Sequence, residues 1–514
     1  MRRLARDVGW MALATGLSRL LGLLRDVAIA DRFGAGSAYD AFLIAFFIPH
    51  FLRQLLAEGA LSTAFVPVYT GLRIAGDDRV GARRDADRFA SCLLAWLLVL
   101  FAAIVSLGIW LAPSYVPFLA SGFSQEKLGL AVRLTRIVFP FIALIGFAAV
   151  FMGILNSYHR FFAASLAPVW FNVGMILGVV LLAPRFPTEP VIGLAAGALL
   201  GGAGQLLAQV PALRRVGFRC RPRLWPVHPA LGRLARLMAP AVVTLAVTQV
   251  NLLVDNKLAS HLGDGGIASL QWGMRLFQLP LGVFAVSVAT ALLPRFSAAW
   301  ERGDRRRFAA DLGDGISLSA LVLLPATVGL LAIGHDVIRL LFEHGSFTPD
   351  DTARAARVLS YYVIGLFPYG LVYLFSRAFY ALKRTGVPLL AAILAVGVNV
   401  TLDLLLVSTM REGGLALATA VAGIVNAAVL GFFLKERMKP HGRRLGLIAL
   451  GSGLLFGVVW GIRRAFGAAP VAATVFVPMI GGLIAYAVYV RWTPLWELVA
   501  RFRADERPND PSGG

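Results

Sequence analysis

The sequence predicts an all-α polytopic membrane protein of about fourteen transmembrane helices, and three observations carry that prediction. Hydrophobic residues make up 58% of the 514 and charged residues only 15%, with a mean hydropathy of +0.74, too apolar for ordinary soluble domains. Apolar runs of about 20 residues, long enough to cross roughly 30 Å of hydrocarbon at 1.5 Å per residue, recur along almost the whole chain. The alternating pattern of an outer-membrane barrel is absent, so the spans are read as helices, which satisfy their own backbone groups.

In order, the spans are expected at 8–30, 38–62, 88–112, 130–155, 163–184, 188–211, 236–260, 267–293, 313–334, 357–381, 387–409, 413–435, 443–464 and 470–491. A basic cytoplasmic linker, 212–235, separates an N-lobe (1–211, spans 1–6) from a C-lobe (236–437, spans 7–12). The lobes echo each other. MGILNSYHRFFAASLAPVWFNV (152–173) has a looser counterpart in SRAFYALKRTGVPLLAAILAVGVNV (376–400), and AEGALSTAFVPVY (57–69) resembles AVSVATALLPRFS (285–297). An even number of spans per lobe gives both the same orientation, so they are expected as two six-helix parallel repeats around a central cavity. Chance likeness among apolar helices is the competing reading. Spans 13 and 14 (438–491) fall outside the six-plus-six scheme, and the polar cytoplasmic tail 492–514, ending RFRADERPNDPSGG, is expected to be disordered.

The net charge of +21 is topological rather than a sign of nucleic-acid binding, because the basic residues do not gather in a soluble domain. With the N-terminus inside, about 32 Lys and Arg fall on cytoplasmic segments, about 9 on outer loops and about 8 within spans. Both termini are therefore expected in the cytoplasm. The inside clusters 79–88, 214–236 and 302–307 are expected as solvated loops that also touch anionic lipid. Arg463 and Arg464, on an outer loop, break the pattern. Residues 1–30 do not read as a cleavable signal, since Arg19 and Arg25 interrupt the apolar region and no small-residue cleavage site follows. Two cysteines, Cys92 and Cys220, imply no disulfide framework.

Arg19, Arg25, Arg53 and Arg275 lie inside spans, where exposure to lipid would cost on the order of 10 kcal/mol for the four. They are expected to face protein or water. Ser18 and Arg25, seven residues apart, share a helix face, and Arg19 stacks over Asp26 by the same spacing, with Gly22 between them leaving room for a ligand or a neighbouring helix. In span 2, Pro49 should kink the helix just before Arg53, with Asp40 and Glu58 at either end. One reading makes these six charges structural ion pairs. Arg275 favours another, because WGMRLFQLP around it holds no carboxylate. Arginines from both lobes facing one cavity suit a polyanion such as a pyrophosphate, which guanidinium binds bidentately. Arg133, Arg136, Lys257 and Arg377 sit near span ends, where long side chains snorkel.

A second constellation joins Asn399 and Asp403, four apart on span 11, with Thr419 of span 12 and Asp255 of span 7 at similar estimated depth. Such oxygens make a hard-cation site or a proton relay, or equally an interhelical hydrogen-bond cluster. No nucleotide-binding loop, H-E-x-x-H or paired-cysteine motif occurs, so a transporter is expected rather than an enzyme.

SRLLGLLRDVAIADRFGAGSAYDAFLIAFFIPHFLRQLLAEGALSTAFVPVY (18–69) resembles the opening of the MurJ (MviN) family of lipid II flippases, in the multidrug/oligosaccharidyl-lipid/polysaccharide exporter superfamily. The resemblance extends over nearly the whole chain, including the two extra spans. It implies export of the undecaprenyl-pyrophosphate-linked peptidoglycan precursor, lipid II, to the outer leaflet of the bacterial inner membrane by alternating access, driven by an ion gradient or membrane potential. It also implies substrate-binding roles for Ser18, Arg19, Arg25, Arg53 and Arg275, and gating or charge-balancing roles for Asp26, Asp40 and Glu58. A sodium site at Asp255, Asn399, Asp403 and Thr419 follows from the same resemblance, with proton coupling as the other option. One departure is that Met274 and Gln278 stand where some members carry carboxylates beside the span 8 arginine.

Expected partners are lipid II, membrane lipids and possible contact with the peptidoglycan synthesis machinery, with a monomer as the expected unit and no nucleic acid. The rival readings are a related exporter of another polyprenyl-linked saccharide or of drugs, and an intramembrane transferase acting on polyprenyl carriers. A cation-drug exporter would favour carboxylates over arginines in its cavity. A transferase would need a general base and an acidic metal motif, and neither is visible in the sequence.

Overall fold

Helices occupy all fourteen positions that the sequence marks, in a computed structural model that describes residues 2–54, 60–75, 78–438, 441–466 and 469–505. Among the described residues, eleven helical stretches are long and apolar enough to cross a membrane, from Arg79–Leu119 to Val471–Arg491, and they fall on expected spans 3–6 and 8–14. The remaining three positions hold Arg2–Phe33, Ser37–Arg53 with Ala60–Ile74, and Ala230–Ser260. They carry Arg19, Arg25 and Asp26, then Asp40 and Arg53, then Asp255 and Lys257. No strand occurs among the described residues. The expected fold class is the one observed.

The chain packs as two units, Met1–Ala268 with His344–Phe347, and Ser269–Glu343 with Thr348–Gly514. The division differs from the sequence boundary at 212–235, because Ala230–Ser260, span 7, packs within the first unit. The preceding basic segment is tied down rather than solvated throughout. Arg83 donates to the Val216 carbonyl at 2.5 Å, the Arg221 N–H donates to Ser91 Oγ at 3.1 Å, and His228 lies 3.3 Å from Asp85. Ala230 and Leu234 then enter the first unit's core.

That core is aromatic at its centre. Phe65 stacks on Tyr69 and Phe89 at 5.3 and 5.6 Å between ring centroids, and all three side chains are fully buried. Spans 5 and 6 approach closely through Gly174 and Gly178 on one helix and Gly193, Gly197 and Gly201 on the other, each spaced by four residues. A Cβ added to Gly174 would stand 2.2 Å from the Gly201 backbone nitrogen. Such small-residue spacing lets membrane helices pack by van der Waals contact where lipid supplies no hydrophobic drive. It fixes the helix Ala167–Leu177, which carries Asn172.

In the second unit, Phe296, Phe308, Phe375 and Phe379 are buried together. The extra spans 13 and 14 pack on Arg305–Phe342, where Tyr486 donates its hydroxyl to the Leu321 carbonyl at 2.9 Å. Arg463, anomalous in the charge count, lies 2.5 Å from Asp336 and also donates to the Ala332 carbonyl at 3.0 Å. Its charge is thus locally balanced. The expected disordered tail is helical as far as Asp505, in Leu495–Asp505, and residues 506–514 lie outside the described residues.

The proposed repeat has a structural counterpart. After Phe141–Ser157, His159 takes φ 55° and the Arg160 N–H bonds the Leu155 carbonyl at 2.9 Å. After Leu366–Ala381, Lys383 takes φ 58° and the Arg384 N–H bonds the Phe379 carbonyl at 3.0 Å. Both are left-handed helix ends with a six-to-one hydrogen bond, a conformation that glycine usually supplies. Both are followed by a helix bearing a buried asparagine, Asn172 and Asn399.

Candidate functional site

The first span presents its charges as a bonded group rather than as isolated residues. Arg25 donates from Nε and Nη2 to one oxygen, Asp26 Oδ1, at 3.0 and 2.7 Å. Its third donor, Nη1, reaches Asn172 Oδ1 at 2.9 Å. The Asn172 amide returns a hydrogen bond from Nδ2 to the Ser18 carbonyl at 3.0 Å. Ser18 therefore contributes its backbone here. Neighbouring helix residues diverge by about 100° around the axis, so the Arg25 chain must fold back to meet Asp26, a contact that face periodicity does not anticipate. A Cβ at Gly22 would lie 3.7 Å from Asn172 Nδ2, so of the two uses read for that glycine the structure shows the neighbouring helix. Arg19 is exposed on the same helix.

Asn172 was not singled out by sequence, although FNV closes the first repeat segment as VNV closes the second. It is 6% exposed. Its hydrogen bond fixes the guanidinium plane of Arg25.

Arg53 closes the helix Ser37–Arg53, is half-buried, and follows the buried Pro49. Beside it, Gln54 is 3.2 Å from His50 Nε2 and accepts from Gln249 Nε2 at 3.0 Å, joining span 2 to Ala230–Ser260. Asp40 lies well away along the helix. It is fully buried, accepting from Lys127 Nζ at 2.8 Å and from the Gly265 and Ala268 N–H groups at 2.7 and 2.8 Å. Its salt-bridge cation is thus Lys127, which also reaches Asp264 at 2.8 Å and stands 4.2 Å over the Phe123 ring. Sequence pattern gave no sign of Lys127, because the partners are 87 residues apart. Glu58 lies outside the described residues.

Arg275 belongs to the second unit, half-buried on Gly266–Pro280. The fully buried Trp272 anchors this helix against Phe342 at 4.9 Å. Of the flanking pair, Met274 is half-buried and Gln278 exposed.

The cation constellation draws on both units. Asn399, Asp403 and Thr419 are all buried in the second unit, and Asn399 Nδ2 lies 3.5 Å from Thr419 Oγ1. Asp403 follows one turn along from Asn399. Asp255 belongs to the first unit, half-buried on Ala230–Ser260. Three of the four expected oxygen donors therefore share one unit. Among the described residues no group of three His, Cys, Asp or Glu side chains forms a metal site.

An all-helical polytopic chain with bonded arginines inside its spans has the architecture of a membrane transporter. A multidrug resistance transporter described as an inward-facing member of the MATE family of the MOP superfamily shares that fold, with a TM-score of 0.67 at 18% identity over 82% of this chain and 94% of that one. The chain belongs to the MurJ family, whose model, described as lipid II flippase MurJ, matches residues 29–481. It is 35% identical over 488 residues to a probable lipid II flippase MurJ of Thermotoga maritima, covering 95% of this chain and 96% of that one. The lipid II flippase MurJ of Burkholderia cenocepacia is 34% identical, with 82% of each chain covered. A solved lipid II flippase MurJ in an inward closed conformation superimposes with a TM-score of 0.79 at 29% identity, covering 97% of this chain and 99% of that one.

Proposed function

We propose that this protein is a lipid II flippase: a multi-pass inner-membrane transporter, not an enzyme, that carries the lipid-linked peptidoglycan precursor from the inner to the outer leaflet by alternating access. Family membership over most of the chain carries this reading. The physical argument agrees with it. A pyrophosphate needs several fixed donors to leave water, and guanidinium groups supply them in bidentate form. Arg25 is already oriented by Asp26 and Asn172, and Arg53 and Arg275 are half-buried in their spans. Asp26 keeps the Arg25 charge compensated when no anion is bound, which limits the cost of an empty site.

Both termini are assigned to the cytoplasm on the positive-inside distribution. Coupling is assigned to a sodium ion or a proton acting at Asp403 with Asn399 and Thr419, whose buried oxygens suit either. The chain is assigned as a monomer.

Titration of the purified full-length protein with lipid II, against undecaprenyl phosphate, which lacks both the second phosphate and the sugar-peptide head group, tests the substrate assignment. Arg53→Ala and Arg275→Ala should each weaken lipid II binding, and Lys should rescue only in part because it lacks the planar fork. Equal affinity for the two lipids, unchanged by these substitutions, would contradict it.

A further inference from the structure

The function uses nothing from the far end of the second unit, where a pocket of about 120 Å³ is lined by Trp300, Arg305, Phe308 and Arg437. Three elements meet there: the end of Val286–Glu301, the start of Arg305–Phe342, and the turn Lys435–Arg437 that follows Glu412–Leu434. All three adjoin spans, so the pocket lies at a membrane–water boundary whichever way the chain is oriented. The geometry points to a site for the phosphodiester headgroup of an anionic phospholipid.

Phe308 is 1% exposed and forms the apolar floor, with the Trp300 ring 6.1 Å from it. The Arg437 guanidinium stands 5.6 Å over Trp300. A cation–π contact engages the face of the guanidinium and leaves its N–H edge available to an anion. Three nearby acids are committed elsewhere, and Glu301, the last residue of Val286–Glu301, is exposed. Asp304 accepts from the Arg307 N–H, Asp311 pairs with Arg295 and Arg307, and Asp314 pairs with Arg444. Among the described residues, neither Arg305 nor Arg437 has a carboxylate within ion-pair distance.

A free phosphate would satisfy those two arginines, but it would leave the adjoining surface unexplained. Phe432 and Phe433 are 61% and 46% exposed at the end of span 12, and Lys435 Nζ stands 4.5 Å over the Phe432 ring. Exposed aromatic rings beside a cationic pocket give acyl chains and headgroup one continuous seat. The ligand is therefore a lipid.

Native mass spectrometry of the full-length protein, released from nanodiscs of mixed phosphatidylglycerol and phosphatidylcholine, tests this. Each arginine near the surface contributes roughly a fivefold preference for anionic lipid. The Arg305→Gln/Arg437→Gln protein should thus retain phosphatidylglycerol over phosphatidylcholine on the order of 25-fold less than wild type. Arg305→Gln alone changes an exposed side chain and leaves the core untouched, and it should lose roughly fivefold by itself. Added inorganic phosphate should leave the retained lipid in place. Unchanged retention in both variants overturns the site. Displacement by inorganic phosphate, with no preference for phosphatidylglycerol in wild type, overturns the lipid assignment.

Discussion

Arg25 Nη1 donates to Asn172 Oδ1 across 2.9 Å, joining two spans whose residues are 147 apart in the chain. The same amide holds the Ser18 carbonyl, so one side chain fixes both the first helix and the arginine upon it. Removing it in Asn172→Ala should cost about 1.5–3 kcal/mol, the worth of a hydrogen bond to a charged group. Asn172→Asp separates structure from binding. A carboxylate there keeps the contact with Arg25 but can no longer donate to the Ser18 carbonyl, so thermal stability should fall less than in Asn172→Ala while affinity for lipid II falls more, because the added negative charge opposes the pyrophosphate. Parallel falls in stability and affinity would make Asn172 a packing residue alone.

Asp40 and Lys127 form a buried ion pair with two backbone donors completing the carboxylate's shell. Breaking such a pair costs about 3–5 kcal/mol because one charge is left uncompensated. Asp40→Asn and Lys127→Met should each lower the thermal unfolding temperature, Lys127→Met more, since Asp264 remains to accompany Lys127 in the first variant. The double variant should recover much of the loss. Additive losses would show that the two charges act independently.

Asp403 is fully buried on the same helix as Asn399. If it binds the coupling ion, sodium should raise the unfolding temperature of the wild type over an equal concentration of potassium or choline, and Asp403→Asn should abolish that difference while lipid II still binds. An equal response of wild type and variant to sodium would reduce the cluster to a helix–helix contact.

The orientation is read by cysteine labelling. Cys92 is buried and Cys220 exposed, and both are free, so both are replaced first. With single cysteines at the exposed positions Arg84 and Ser346, an impermeant thiol reagent added to spheroplasts should label 346 alone. Labelling at 84 reverses the topology.

The fold was legible because hydrocarbon imposes one requirement on every span, and runs of about 20 apolar residues declare it. The repeat was legible for a local reason: LNSYHR and FYALKR close helices with the same left-handed turn at His159 and Lys383. Partners were not legible. Periodicity reports which residues share a face of one helix, so it brought out Arg25 and missed Asn172, and brought out Asp40 and missed Lys127. The attachment of 216–230 was not legible either, since it rests on single contacts such as Arg221 to Ser91.

The most direct measurement follows lipid II between leaflets. In cells where this protein is the sole flippase, it is depleted, and an enzyme that cleaves the lipid-linked pyrophosphate is added outside to spheroplasts. The account predicts that lipid II becomes protected from cleavage on depletion, is cleaved again when the wild-type chain is restored, and stays protected when Arg275→Ala is expressed to the same level. Continued cleavage in depleted cells would contradict the assignment of this protein as the flippase.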